Sequence, residues 1–276
     1  MYDLTFALRT LMAALSFAGY SVFLTRRWHI HPLIAPAVVI PALGTVMVIS
    51  GILNIMLLMV YLLCGLGLAL LVYTLIVNKG TKGLLHPAHL VVLAAFLWLL
   101  WRLQGAQVHN VDNFHHWLKV LRVMITRDQL PSYRTPIITF QAYPTGSASF
   151  LYYILKLTGY REDFAIIVQL AMLLTFSLPL FVFQKKGQWL SWITLAGFLA
   201  VALSRLYERD TLLVDDLQAF IGISAIAIAY YYRADLNKAL ICLTPISIYT
   251  VLIKNSAFFF IVITTLFLLV VLEEKR

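Results

Sequence analysis

The chain has 276 residues, 62% of them hydrophobic and only 12% charged, with a mean hydropathy of +0.88. A soluble domain is nearer half apolar and a quarter charged, so this composition excludes an ordinary soluble protein and points to a polytopic membrane protein. The formal net charge of +9 does not argue for nucleic acid, because most of the cations sit in short connections between apolar runs, where they report topology.

A span needs about 20 apolar residues, or roughly 17 at the short end. Leu4–Leu24 is the first candidate, interrupted by Arg9 and closed by Thr25-Arg26-Arg27-Trp28. Asp3 and Arg9 in this run argue against a cleavable signal. Pro32–Ser50 and Ile52–Val77 follow, with Gly51 and Asn54 marking a tight turn between them. After the polar connector Asn78–Gly83 comes Ala88–Leu103, with Trp98 and Trp101 suited to an interfacial belt. Beyond a polar insert from Gln104 to Asp163, the candidates are Phe164–Phe183, Gln188–Ser204, Leu217–Tyr232, Ala239–Ile253 and Ser256–Leu272. The expected fold is therefore an all-α polytopic membrane protein with about nine transmembrane helices. Cys64 and Cys242 fall inside apolar runs and read as small buried residues.

Placing Arg26 and Arg27 in the cytoplasm and alternating puts Lys79/Lys82, Lys185/Lys186, Arg233/Lys238 and Lys275/Arg276 there as well. That agreement is what the positive-inside rule requires. The N-terminus and most acids then fall outside the cell membrane, and the C-terminus inside. The outer segments include the 104–163 insert, a second polar insert at 205–216 and the Lys254-Asn255 turn. Within the first insert, Phe114–Ile125 and Ser147–Leu157 are helix-like but too short to cross, so both are expected to lie along the membrane surface. Phe114, Trp117, Leu118, Leu121 and Ile125 form an apolar stripe, with Asp112, His115, His116 and Lys119 on another side. Pro131, Pro136 and Pro144-Thr145-Gly146 break the region between the helices, and Ser147 reads as an N-cap.

These outer segments hold the residues that can carry chemistry. Asp112 is an N-cap, a general base for an acceptor hydroxyl, or both. His115 and His116, with His109 upstream, match no closed zinc spacing and point apart on a helix; one can bond a phosphate or a sugar. Asp215-Asp216 either cap a helix or hold a divalent cation such as Mg or Mn against a phosphate, with Glu208 and Asp210 nearby. Arg134, Arg205, Arg209 and Lys254 either snorkel to headgroups or meet a phosphate; Lys254, in a tight turn, is the least ordinary of them. Arg9 and Arg102 read as snorkellers. Tyr133, Tyr143, Tyr152, Tyr153 and Trp117 serve as interfacial anchors or stack on a sugar or lipid. No P-loop, GxGxxG or paired CxxC is present.

Three stretches taken together resemble a known family: Asp112-Asn113-Phe114-His115-His116-Trp117, Tyr143-Pro144-Thr145-Gly146 and Leu252-Ile253-Lys254-Asn255. Their order and sidedness resemble the GT-C superfamily of membrane glycosyltransferases, which take sugars from polyprenyl-phosphate carriers. The resemblance covers roughly Ala88 to the C-terminus. It implies a GT-C-like core at 88–276 preceded by a three-helix extension at 1–87. It also implies Asp112 as the catalytic acid, Asp215 and Asp216 as the second acidic motif, and Lys254 near the donor phosphate; the residue types and their sidedness add His115, His116, Arg134, Tyr143 and Arg209 as substrate or phosphate contacts. The chain departs from the pattern at Asn113, where many members have a second acid. It also ends soon after Lys254, so a partner subunit supplying the missing C-terminal region is expected as one possibility. The implied partners are a lipid-linked sugar donor, an extracytoplasmic acceptor and membrane lipids, with no nucleic acid. The alternatives are a transporter or flippase-like component for lipid-linked sugars, which usually carries ionisable groups inside its spans, and an anchoring subunit of a split transferase.

Overall fold

The computed structural model describes residues 2–77, 84–109, 111–132, 138–139, 142–184, 211–212 and 214–273, without the side chain of residue 272. Among them there are helices and connecting turns, and no strand. The helices are α1 (Leu4–Arg27), α2 (Ala35–Ile52), α3 (Met56–Val77), α4 (Pro87–Arg102), α5 (Leu118–Arg127), α6 (Gly146–Thr158), α7 (Glu162–Ser177), α8 (Asp215–Tyr231), α9 (Leu236–Ile253) and α10 (Phe258–Glu273). A π-helical turn, Asn113–Trp117, leads into α5, and a 3-10 segment, Leu178–Phe183, extends α7.

Local chemistry sets the boundaries. Asp3 caps α1 by accepting from the Phe6 N–H at 2.7 Å. Asn54, at φ 58°, makes the left-handed turn between α2 and α3 that an Asn tolerates better than a branched residue. Pro179 lacks an N–H, and α7 gives way to the 3-10 segment just before it. Gly159, at φ 102°, ends α6 where a side chain would be strained.

Among the described residues, five helical segments are long and apolar enough to cross a membrane: α1, α2, α3, α7 with its 3-10 extension, and α9. This is a membrane protein by composition and by element length. Helix α4 and the α10 region are apolar but shorter, and α8 has 17 residues. The expected span Gln188–Ser204 lies outside the described residues, and the expected spans at α4, α8 and α10 are helices of 16 or 17 residues. The segments arrange in two rings. Of the apolar windows, 72% of α2 and 78% of α7 are buried, against 17% of α1 and 28% of α3. So α2 and α7 form the centre, and the others turn leucine and phenylalanine outward, as a lipid-facing surface requires. The first three helices pack into the bundle: α2 lies against α6, α7 and α9. Small residues allow these approaches. A Cβ on Gly19 of α1 would sit 1.9 Å from the Gly67 carbonyl oxygen of α3, and one on Gly44 of α2 would meet the Tyr249 ring of α9 at 2.2 Å.

The contacts between helix ends separate two faces of the bundle. At one, the Asp163 carboxylate of α7 accepts from Gly105 N after α4 (2.8 Å) and Tyr2 Oη before α1 (3.3 Å). At the other, Tyr232 Oη beyond α8 accepts from His31 N at 2.7 Å, and His89 Nε2 of α4 meets Pro32 O at 3.2 Å. Arg26, Arg27, Arg233 and Lys238 belong to this second end, beside the helix termini that meet there. The first end carries the long insert and is the loop-bearing end of the bundle.

Helix α6 corrects an expectation. It does not span, having 13 residues, but neither does it lie on an exposed surface: eleven of its residues are buried. It is enclosed by α1, α2, α3, α5, α7 and α9. The run Ala148-Ser149-Phe150-Leu151-Tyr152-Tyr153 buries every side, which an interfacial helix with one polar face does not do. Both its ends stay at the loop-bearing end, Gly146 against Leu252 of α9 and Gly159 to Arg161 beside Asp3 and Phe6 of α1. So α6 runs across the bundle beneath the loops of that end. Its first residue is Gly146, and Ser147 lies inside the helix without capping it.

Candidate functional site

Asn113 ties the first polar insert to the second. It is fully buried, its Nδ2 donates to Thr211 Oγ1 at 2.7 Å, and its Oδ1 accepts from Leu212 N at 3.0 Å. An amide supplies both a donor and an acceptor, which an ionised aspartate cannot. The residue that departs from the family pattern is thus the one that needs to be neutral to join two loops about a hundred positions apart in sequence.

Asp112, one residue earlier, is exposed and has helical backbone angles (φ −63°, ψ −27°) without a side-chain capping bond. An N-cap needs an extended backbone so that its carboxylate can reach the next turn, and the capping explanation of Asp112 therefore fails. Its carboxylate sits at the rim, beside the Asn113 anchor.

A π turn precedes α5: Leu118 N bonds to Asn113 O, five residues back. Asn113, His116, Trp117, Leu118, Val120, Leu121 and Met124 are inside, while Phe114 and His115 are outside. The expected stripe holds at Trp117, Leu118 and Leu121 and fails within the π turn, where Phe114 was expected inside and His116 out. Apolarity alone misassigned these two because the Asn113 tie holds a polar residue on the buried side. His116 is only 1% exposed, with its ring edge-on to Trp117 (4.6 Å) and Tyr143 (5.3 Å). Burial lowers its pKa to about 4, so it is neutral at physiological pH. It positions Tyr143 and does not present itself to a ligand. His115 faces out, its Nδ1 3.4 Å from Thr139 Oγ1, so the two histidines do point apart.

Tyr143 is 39% exposed and opens the Tyr143-Pro144-Thr145-Gly146 turn. Gly146 presses on the end of α9: a Cβ there would lie 2.6 Å from the Leu252 carbonyl oxygen. Two residues later, Lys254 Nζ reaches Asp215 Oδ1 of α8 at 2.5 Å, with side chains 26% and 62% exposed. Ser256 Oγ lies 3.2 Å from Gln218 Oε1, a second link between the same two segments. Asp215 and Asp216 occupy the first turn of α8, where negative charge suits the helix dipole; the cap position is Val214. The three polar segments therefore meet at one end through Asn113–Thr211, Gly146–Leu252 and Lys254–Asp215. No protein-family model, curated protein or solved structure matches this chain.

A cation on Asp215 and Asp216 fits this donor set poorly. Asp215 already holds an ammonium, and among the described residues no three acidic, histidine or cysteine side chains group to hold a metal. Arg134, Arg205, Glu208, Arg209 and Asp210 lie outside the described residues.

Two polar centres were not expected from the sequence. Asp128, left-handed at φ 55°, accepts from Tyr152 Oη at 2.7 Å and pairs with Lys156 Nζ at 2.5 Å, which locks the end of α5 onto α6. Asp163, 3% exposed, takes Tyr2 and Gly105 as above, Arg161 in two bonds (3.0 and 2.8 Å) and its neighbour Phe164 N at 2.9 Å. An acid one residue before a long apolar run was the visible signal for Asp163, and its partners come from remote segments that no local pattern announces.

Proposed function

We propose that the chain is a membrane glycosyltransferase that moves a sugar from a polyprenyl-phosphate-linked donor to an acceptor outside the cytoplasm, such as a cell-envelope glycan, lipid or protein. The observation that supports this reading is the meeting of three distant polar segments at one end of a membrane bundle, segments that carry the exposed Asp112 and the part-exposed Lys254. Positive-inside charge puts that end outside, since Arg26, Arg27, Arg233 and Lys238 belong to the other. An outward site has no supply of cytoplasmic nucleotide sugars, so its donor is carried on a lipid.

The reaction is a direct displacement. Asp112 takes the proton of the acceptor hydroxyl as that oxygen bonds to the anomeric carbon. The bond from that carbon to the phosphate oxygen breaks, and polyprenyl phosphate leaves with the electron pair. Lys254, now on Asp215, turns to the phosphate as its charge grows. Because the Lys254–Asp215 pair is solvent-exposed, exchanging one anion for another costs little. Tyr143 offers a ring for the sugar face.

The test is transfer of label from a panel of polyprenyl-phosphate sugars into membranes carrying the chain. The wild type transfers from at least one donor, and Asp112→Asn loses roughly 10²–10⁴-fold, the usual share of a general base. Full activity in Asp112→Asn at equal membrane levels would remove Asp112 from the mechanism.

A further inference from the structure

A groove runs down the bundle between α1, α4, α6 and α7, away from the Lys254 site. It encloses about 190 Å³ and is almost wholly apolar, with Ala14 and Phe17 of α1, Phe96 of α4, Ile154 of α6, and Val168 and Met172 of α7 among its walls. Three threonines also line it. Thr158 and Thr175 bond back to carbonyls in their own helices, Ile154 O at 3.0 Å and Ala171 O at 2.8 Å. Thr10 does not: its Oγ1 is buried and has no hydrogen-bond partner. A buried hydroxyl left this way costs free energy unless a ligand meets it.

A polar mouth of about 200 Å³ lies next to the groove, sharing Thr158 and lined also by Asp3, Arg9, Tyr160 and Arg161. Arg161 is committed to Asp163 and stacks on the Tyr2 ring at 4.5 Å. Arg9 makes no hydrogen bond or ion pair among the described residues, although it stands six residues into α1 from Asp3, about 9 Å along the axis. An arginine at that depth in an apolar span needs a counter-anion. Asp3 accepts from the Phe6 N–H with one carboxylate oxygen, and Arg161, itself bonded to Asp163, is close enough to feel its charge. The mouth therefore offers an unpaired cation and a half-used anion side by side, above an apolar slot and an unbonded hydroxyl.

We infer that this groove binds a zwitterionic phospholipid with an amine-bearing head. Arg9 takes its phosphate, Asp3 its ammonium, Thr10 an ester carbonyl, and the slot an acyl chain. A purely anionic head would set its charge against Asp3 and leave the carboxylate without a partner, so the mixed-sign mouth selects the phosphoethanolamine class. The inference does not depend on the transferase reading, since it concerns the opposite end of α6.

The test is native mass spectrometry of the full chain, delipidated in detergent and titrated with phosphatidylethanolamine, phosphatidylcholine or phosphatidylglycerol. Phosphatidylethanolamine should bind tightest, and Arg9→Gln should weaken it about tenfold, the scale of one charge-assisted contact. Ala14→Trp, which fills the slot from an exposed position, should abolish binding with the melting temperature of the lipid-free protein unchanged. Equal retention of all three lipids, preference for phosphatidylglycerol, or undiminished phosphatidylethanolamine binding by Arg9→Gln would each overturn the assignment.

Discussion

The two ends of α6 carry similar residue types in opposite circumstances. At the Gly146 end, Asp215 and Lys254 form an ion pair that water reaches, 62% and 26% exposed. At the Thr158 end, Asp163 is 3% exposed and is met by Arg161, Gly105, Tyr2 and Phe164. A buried carboxylate needs its charge and lone pairs answered by fixed donors, and these donors are drawn from three separate segments. An exposed pair contributes little to stability and can exchange partners at low cost. The end that holds the bundle together is therefore the satisfied one, and the proposed chemistry belongs to the end whose ion pair water reaches.

The sharpest way to break this contrast is Asp163→Ala. It leaves Arg161 without its carboxylate and frees the connection after α4, and it should cost about 3–5 kcal/mol. Thermal unfolding in detergent reads it directly, and a loss no larger than that of Asp215→Ala would erase the distinction between the ends.

The next effect comes from His116, whose burial holds its pKa near 4, below the ordinary 6.5. A depressed histidine is neutral in the folded state, so its contribution is intact above pH 6.5. It is lost as the pH falls towards 4, because the unfolded chain takes up the proton first. The full loss approaches ~3 kcal/mol. Melting curves between pH 7 and 4 should show it in the wild type and not in His116→Gln, and identical pH dependence in both would take this histidine out of the core.

The smallest is Gly146→Ala, which sets a methyl against the Leu252 carbonyl and should cost about 1–3 kcal/mol by forcing α6 from α9. Activity should fall further than stability, because the displaced carbonyl belongs to the turn that carries Lys254. Proportionate losses would make Gly146 a packing residue only.

How much of this was legible in the sequence depends on range. The spans at Leu4–Leu24, Pro32–Ser50 and Ile52–Val77 needed only apolar length, and the Asn54 turn only its local conformation; both are local signals. The same charge alternation sorted the ends: it put Asp215 and Lys254 together and Arg26 and Arg233 elsewhere, as the helix contacts do. What was not legible is what depends on partners far along the chain. Asn113 looked like a defect in a motif until Thr211 and Leu212 supplied its bonds. His116 looked exposed because a 3.6-residue period does not hold within the π turn that contains it. Helix α6 looked interfacial because its length excluded a span, and length says nothing about what covers a helix.

Cys64 and Cys242 are both buried, so a cysteine placed at the exposed Asn255, beside Lys254, is the reactive thiol in an otherwise silent background. The decisive measurement is labelling of Asn255→Cys in intact cells with a membrane-impermeant maleimide, with and without added polyprenyl-phosphate sugar. The account requires labelling from outside and slower labelling when the lipid-linked sugar is present. Labelling only after the membrane is opened, or at a rate the sugar does not change, would contradict it.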